Sequence, residues 1–218
     1  MVILGIDPGS KITGYAFLRK GSSTSVIQVL EYGAIKVNSG QELMPRLGQI
    51  CAELELRILE HKPKLLAMES SFYALNVKTT LVLGHVRGAI MALCARFGMG
   101  FAEYSPRSIK QAVTGTGAAD KSRVARMIQL HLKLETISTN EDASDALAVA
   151  WTYLSPTGIQ HELAKFTSKS KSVKQKKQTS PMSLPNSTMK SSGLAVNALP
   201  PGTDLESILR NARKRKRK

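Results

Sequence analysis

The chain has 218 residues and a formal net charge of +15 at pH 7, enough for one globular domain with an extension. Residues 1–158 carry a net charge of +4 and residues 159–218 carry +11, which favours an anionic partner such as nucleic acid. Cys51 and Cys94 fall at apolar helix positions, so we expect free thiols in a reducing compartment. With no expected membrane span or signal peptide, the sequence predicts a cytoplasmic protein without a membrane partner.

The first half of the domain is predicted to contain four strands. Three strands joined by short turns, an antiparallel meander, are predicted at 2–7, 13–18 and 26–37. A helix over about 41–61 precedes a fourth strand at 64–69. A strand, a helix and a strand of these lengths predict a parallel crossover, so we expect a mixed sheet in an α/β fold.

The second half of the domain is predicted to be mainly helical. A helix over about 76–97 leads to a fifth strand at 101–104, and further helices are predicted near 105, over 121–134 and from Asp142 to Leu154. We expect the domain to end near residue 158. Residues 159–218 are rich in Lys and Ser and have little apolar periodicity, which predicts a low-complexity basic tail that is disordered.

Four carboxylates stand out against this basic chain. Asp7 and Glu69 each end an apolar run, and Asp142 and Asp145 lie three residues apart, so they project from one face of the last helix. A parallel crossover brings the ends of the first and fourth strands side by side. If the last helix begins over that edge, all four acids converge, and divalent metal would resolve their mutual repulsion.

Each acid also has an ordinary structural explanation. Asp7 could sit in a turn, Glu69 could face solvent at a strand end, and Asp142 and Asp145 could cap a helix or interact with its dipole. The joint placement favours a site instead. Ligands that are all oxygen atoms favour Mg²⁺, for which Mn²⁺ can substitute, and a pair of such ions is typical of phosphodiester cleavage.

Four motifs run in order through residues 1–155: Gly5-Ile6-Asp7-Pro8-Gly9-Ser10, Glu69-Ser70-Ser71-Phe72, Ser108-Ile109-Lys110-Gln111 and Asp142-Ala143-Ser144-Asp145-Ala146-Leu147. Together these motifs resemble the RuvC family of bacterial Holliday-junction resolvases. The resemblance implies an RNase H-like fold with a mixed five-stranded sheet flanked by helices. It also implies a homodimer that nicks a four-way DNA junction symmetrically, leaving 5′-phosphate and 3′-hydroxyl ends in recombination and repair.

The resemblance assigns roles to particular residues. Asp7, Glu69, Asp142 and Asp145 would be the catalytic and metal-binding tetrad for two Mg²⁺ ions. Phe72 would stack on unpaired bases at the junction centre, Lys110 and Lys121 would lie near the scissile phosphates, and weaker phosphate contacts would come from Lys78, Arg87, Arg107 and Arg123. Core packing for Phe72 and generic solvation for the lysines remain alternatives.

The resemblance further implies a dimer interface on the 76–97 helix, where Gly84 and Gly88 form a notch that could alternatively serve packing within the domain. It also implies cooperation with the RuvA–RuvB branch-migration complex. Two other functions compete with the resolvase. An ATPase of the actin or sugar-kinase type shares a loop like Asp7-Pro8-Gly9-Ser10 but needs a second domain. A non-catalytic DNA-binding protein fits the charge but leaves the four acids unexplained.

Overall fold

The computed structural model describes residues 1–21, 26–70, 77–135, 141–156 and 158. The predictions for Phe72 and for the basic tail at 159–218 lie outside these residues. The predicted domain boundary at 158 therefore stays a prediction.

One mixed sheet forms the centre of the protein. Its five strands are β1 (Val2–Asp7), β2 (Ile12–Lys20), β3 (Ile27–Lys36), β4 (Leu65–Glu69) and β5 (Gly100–Tyr104). They lie in the order β3-β2-β1-β4-β5, with antiparallel pairs between β1, β2 and β3 and parallel pairs between β1, β4 and β5. The predicted meander and the predicted parallel crossover are both confirmed.

Helices cover both faces of this sheet. They are α1 (Leu43–His61), α2 (Val77–Arg96), α3 (Pro106–Thr114), α4 (Lys121–Leu132) and α5 (Glu141–Leu154). One buried cluster joins a sheet face to α1 and α2, and the other joins the opposite face to α3, α4 and α5. Because β1 contributes Leu4 to one cluster and Ile3 to the other, it is buried on both sides, as its continuous apolar run predicts.

Two glycines let α5 lie unusually close to the sheet. A Cβ atom at Gly5 in β1 would collide with the carbonyl oxygen of Ala146, and one at Gly14 in β2 would collide with that of Asp142. Gly14 is also the partner of Asp7 in the β1–β2 register. The first turn of α5 is therefore placed directly against the strand position opposite Asp7.

Helix α2 corrects one expectation from the sequence. In the described part of the chain it is the one helix long and apolar enough to cross a membrane by length and composition, although only 22% of that segment is buried. The prediction that no segment would be this apolar was wrong. Its inner face buries Val86, Ile90 and Leu93, whereas Val82 and the following Phe97 are only half-buried.

Both cysteines are free thiols inside helices, and one histidine packs against an aromatic ring. Cys51 is half-buried and Cys94 is buried, and both are free thiols. His131 stacks on Trp151 with ring centroids 4.4 Å apart, and its Nε2 atom lies 2.9 Å from the carbonyl oxygen of Val113. These contacts explain His131 as a packing residue.

Candidate active site

Asp7 and Glu69 lie at the same edge of the sheet. In the parallel β1–β4 pair, Ile6 stands opposite Met68. Asp7 follows Ile6 and Glu69 follows Met68, so the two carboxylates end neighbouring strands side by side. The end of β4 is also tied to β5, because the Ser70 backbone N–H donates to the carbonyl oxygen of Tyr104 at 2.8 Å. The apolar strands thus deliver two half-buried carboxylates to one fixed edge.

The other two predicted acids come from the first two turns of α5. Asp142 is the second residue of the helix and Asp145 follows one turn later, so both project toward the same side. The close approach at Gly14 holds this turn against β2 beside Asp7. The alternative in which Asp142 caps the helix is wrong, since the helix already begins at Glu141.

Electrostatic coupling shows that all four acids share one environment. Burial and the negative charges of Asp145, Glu69 and Asp142 together raise the pKa of Asp7 to about 7, against the opposing effect of Lys121. Burial and the charge of Asp145 also raise the pKa of Glu69. Negative charge is therefore present in excess at this edge, and a cation would be stabilised there.

A cleft of about 330 Å³ opens at this edge. Its walls include Asp7, Glu69, Asp145, Lys110 and Lys121. The Lys121 ammonium group donates to Asp145 at 3.2 Å while most of the Lys121 side chain stays exposed. The cleft thus combines carboxylates in its floor with two lysines, the arrangement expected where bound cations face a phosphate.

Asp142 differs from the other three acids in one respect. It is not among the described residues that line the cleft, although its charge acts on Asp7. The structure therefore brings Asp7, Glu69 and Asp145 together around one opening, with Asp142 contributing beside them.

The comparisons with known proteins agree with this geometry. The family model described as crossover junction endodeoxyribonuclease RuvC matches residues 3–153. The chain belongs to the RuvC family. The RuvC proteins of Chlorobaculum parvum and Halorhodospira halophila are 43% and 44% identical to it over 155 and 148 residues. Those alignments cover 71% and 68% of this chain and 82% and 86% of the two relatives.

Solved RuvC structures share the fold of this family member. Thermus thermophilus RuvC superimposes with a TM-score of 0.65 at 27% identity, covering 70% of this chain and 93% of that one. The same protein in complex with Holliday junction substrate gives a TM-score of 0.63 at 25% identity, covering 70% and 92%. The predicted α/β class, the RNase H-like mixed five-stranded sheet and the family resemblance are confirmed.

Arg87 has a different place in this RuvC-family site from the one the sequence suggested. It was expected to contact DNA phosphates, but its guanidinium group donates to the main-chain carbonyl of Glu69 and pairs with the Glu103 carboxylate. The Arg87 side chain is only 16% exposed. Arg87 thus ties α2 to the ends of β4 and β5, and a sequence gives the charge of such a residue but not its partners.

The donor atoms at the edge suit a hard cation. Asp7, Glu69, Asp142 and Asp145 offer only carboxylate oxygens, which Mg²⁺ and Mn²⁺ prefer, and the excess negative charge around Asp7 favours such binding. In the described residues, one trio of potential ligands has all its ligand atoms within 4.8 Å of one another, and it lies elsewhere: Glu31, Glu60 and His61.

That trio has another explanation. Arg57 donates to Glu31 at 2.9 Å, the Tyr15 hydroxyl donates to it at 2.8 Å, and His61 lies 2.7 Å from its second oxygen. Because these contacts already satisfy Glu31, the cluster is an ion-pair network that joins β2, β3 and α1. No single stretch of sequence reveals it, since its members come from three elements.

Proposed function

We propose that this RuvC-family chain is a Holliday-junction resolvase, a structure-specific endonuclease that opens four-way DNA junctions by paired symmetric nicks. The observation that carries the proposal is the sheet edge where carboxylates from β1, β4 and α5 share a cleft with two lysines. The complex of Thermus thermophilus RuvC with Holliday junction substrate supports the choice of substrate.

We propose that Asp7, Glu69, Asp142 and Asp145 hold two Mg²⁺ ions, or Mn²⁺ in their place. When bound, the cations supply an activated water for in-line attack and stabilise charge on the leaving 3′-oxygen. The expected products carry 5′-phosphate and 3′-hydroxyl ends. The strands β1 and β4 and the helix α5 bring the ligands to one edge of the sheet, where a bound cation would draw their side chains together.

The lysines of the cleft orient the phosphate in this proposal. Lys110 and Lys121 stand on the wall beside the acids, and both lower the pKa of Glu69 through their charge. A cation at this position attracts the scissile phosphate and fixes its register without reading sequence. Lys121 is already held by Asp145, which positions its ammonium group at the cleft.

Phe72 is proposed to stack on unpaired bases at the junction centre. It follows the Glu69 strand by three residues, and an aromatic face stacks on any base. Phe72→Ala should then lose about 1–3 kcal/mol of stacking and reduce cleavage while the protein stays folded. If Phe72 belonged to the core, the same change would lower stability by about 3–5 kcal/mol, so melting and cleavage of this variant are measured together.

We propose a homodimer with α2 in its interface. Val77 and Leu81 are 76% and 60% exposed on this helix, and no atom of the described residues lies within 4 Å of a Cβ built at Gly84 or Gly88. Among the described residues, no contact at this notch supports the alternative of packing within the domain. A second copy of α2 would cover these side chains, and each protomer would then cut one strand.

The cellular setting follows from the same proposal. A junction resolvase acts on chromosomal DNA, so we place the protein in the bacterial cytoplasm, in agreement with its two free thiols. We also propose that it works with the RuvA–RuvB branch-migration complex on the same junction.

The test is incubation with a synthetic mobile four-way junction, with and without Mg²⁺. The expected result is paired nicks in strands of like polarity that need the cation and that leave linear duplex of the same sequence intact. Binding without any cation-dependent cleavage would instead favour a non-catalytic DNA-binding protein, and nucleotide hydrolysis without nicking would favour the ATPase.

A further inference from the structure

A second depression adjoins the catalytic cleft. It measures about 600 Å³ and shares two wall residues, Pro106 and Lys110, with the cleft. Its remaining wall is formed by Arg107 and Gln111 of α3 and by the loop at 116–118 that follows the helix. We call this depression the α3 trough. Because it shares a wall with the cleft, a strand that leaves the catalytic site on this side must cross it.

Two cations, Arg107 and Lys110, line the α3 trough. They are three residues apart on α3, so they lie on one side of the helix. Within the described residues neither forms an ion pair, whereas Lys121 pairs with Asp145 and Arg87 pairs with Glu103. Lys110 acts on Glu69 through its charge, whereas Arg107 is exposed, so the charge of Arg107 in particular can meet an anion.

The nearby acid Asp120 does not remove this charge. It caps α4 by accepting from the Arg123 backbone N–H at 2.7 Å, and it also accepts from the Ser122 hydroxyl at 2.8 Å. Lys110 acts on Asp120 only through its charge, without an ion pair between them. Asp120 is thus engaged as the N-terminal cap of α4.

Gly117 leaves room for the Arg107 side chain beside the loop. A Cβ atom at Gly117 would lie 2.6 Å from Cγ of Arg107, closer than Cβ atoms approach other heavy atoms, and 3.2 Å from Nε. The arginine stem therefore lies directly against the loop backbone, and a side chain at Gly117 would displace it. Packing of the stem against the loop reduces the freedom that is lost when the guanidinium group binds a phosphate with two parallel hydrogen bonds.

We propose that the α3 trough binds a backbone phosphate next to the scissile one on the cleaved strand, with Arg107 as its principal ligand. This inference rests on the proposed nuclease function. The cleft carries several carboxylates, which repel the phosphates flanking the reacting one. Cations immediately beside the cleft offset that repulsion and fix the strand along α3. The interaction is with the backbone, so it sets position and not sequence preference.

The test compares full-length Arg107→Ala and Arg107→Lys with Lys64→Ala as a matched control. Lys64 is an exposed cation at the opposite end of β4 from Glu69, so its loss changes net charge equally. Binding to a synthetic junction is measured without divalent cation across a salt series. We expect Arg107→Ala to weaken binding about tenfold and to flatten the log–log salt slope by about 0.9. Arg107→Lys keeps the charge, so its affinity should be intermediate and its salt slope should stay near that of the wild type.

Gly117→Ala provides a second variant that leaves every charge in place. It should weaken binding by displacing Arg107, and it should add little when combined with Arg107→Ala, because both changes remove the same interaction with the phosphate. Melting curves confirm that each variant is folded. Full additivity of the two changes would overturn the role of Gly117 as the support of Arg107.

Two failures are distinguishable. A wild-type protein that neither binds nor cuts the junction would overturn the proposed function and the trough with it. A wild-type protein that binds and cuts, while Arg107→Ala behaves like Lys64→Ala, would overturn the trough alone.

Discussion

Two groups of carboxylates on this sheet have opposite electrostatics. At the sheet edge where β1 and β4 end, burial and three neighbouring acids raise the pKa of Asp7 to about 7. At the other group, burial also acts to raise the pKa of Glu31, but hydrogen bonds to His61, Tyr15 and Arg57 outweigh it and leave the pKa lowered. The group around Asp7 carries excess negative charge, whereas Glu31 is surrounded by side chains of this chain that donate hydrogen bonds to it.

This difference separates a site from a structural network. Carboxylates that face cations of the same chain stabilise the fold, and removing one costs stability. Carboxylates that face one another destabilise the fold until an external cation enters. The fold can bear this repulsion at the edge that carries Asp7, because a buried core holds β1, β4 and α5 there.

The largest effect is expected from Asp7→Asn. Removing a cation ligand should reduce Mg²⁺-dependent nicking more than about 100-fold, since changes to groups that merely support ligands already cost about 10–100-fold. Junction binding without cation should be unchanged or tighter, because a negative charge is removed. Without divalent cation the melting temperature should rise, by about 2–4 °C for each kcal/mol of repulsion removed. Undiminished nicking by pure Asp7→Asn protein would remove Asp7 from the site.

A smaller loss of cleavage is expected from Arg87→Lys. The lysine keeps the charge but cannot reach both the Glu69 carbonyl and Glu103, so the end of β4 loses its support and nicking should fall about 10–100-fold. The Mg²⁺ concentration for half-maximal nicking should rise as well. Arg96→Lys is the control, because Arg96 lies on the same helix in an exposed pair with Glu55 at 3.6 Å. Equal activity of the two variants would show that Arg87 does not position Glu69.

Glu31→Gln should have effects opposite to those expected of Asp7→Asn, lowering stability without lowering nicking. It removes charge-assisted hydrogen bonds worth roughly 1.5–3 kcal/mol each, so stability should fall while nicking stays near wild type. Because the pKa of Glu31 is lowered, its contribution is present at neutral pH and is lost as the pH falls through that lowered pKa. The melting difference from wild type should therefore shrink in acid. Glu60→Gln, an exposed neighbour, should change little; equal effects of both would contradict the network.

The smallest effect on chemistry is expected from deleting residues 159–218. This segment carries +11, the reverse of the acidic edge, and we propose that it adds affinity for DNA of any sequence. Truncation should weaken binding to duplex and junction alike, and the salt slope should fall by about 0.9 for each phosphate that the tail neutralises. Cleavage of pre-bound junction at low salt should stay nearly constant. An unchanged salt slope would mean that the tail does not bind DNA.

Sequence patterns predicted which acids lie at this edge of the sheet, but they did not predict the residues that hold those acids in position. Asp7 and Glu69 could be placed because each ends an apolar run, and parallel pairing brings such ends together. Asp142 and Asp145 follow from helical spacing. Strand ends, helical spacing and parallel pairing can all be inferred directly from the sequence.

The missed features depend on which residues meet across the fold. Arg87 shows only its charge in the sequence, so its bond to Glu69 could not be foreseen. The importance of Gly14 depends on how closely α5 approaches β2. Val77 and Leu81 on α2 are exposed although they are apolar, and the sequence does not show which apolar residues of a helix stay on the surface.

The central claim is that the excess negative charge around Asp7 is a cation site. The direct measurement is the melting temperature of wild type, Asp7→Asn and Glu31→Gln across a Mg²⁺ or Mn²⁺ titration. Cation should raise the melting temperature of wild type and of Glu31→Gln and leave that of Asp7→Asn nearly unchanged, since binding to the folded state stabilises it. Stabilisation that persists in Asp7→Asn and disappears in Glu31→Gln would contradict the account.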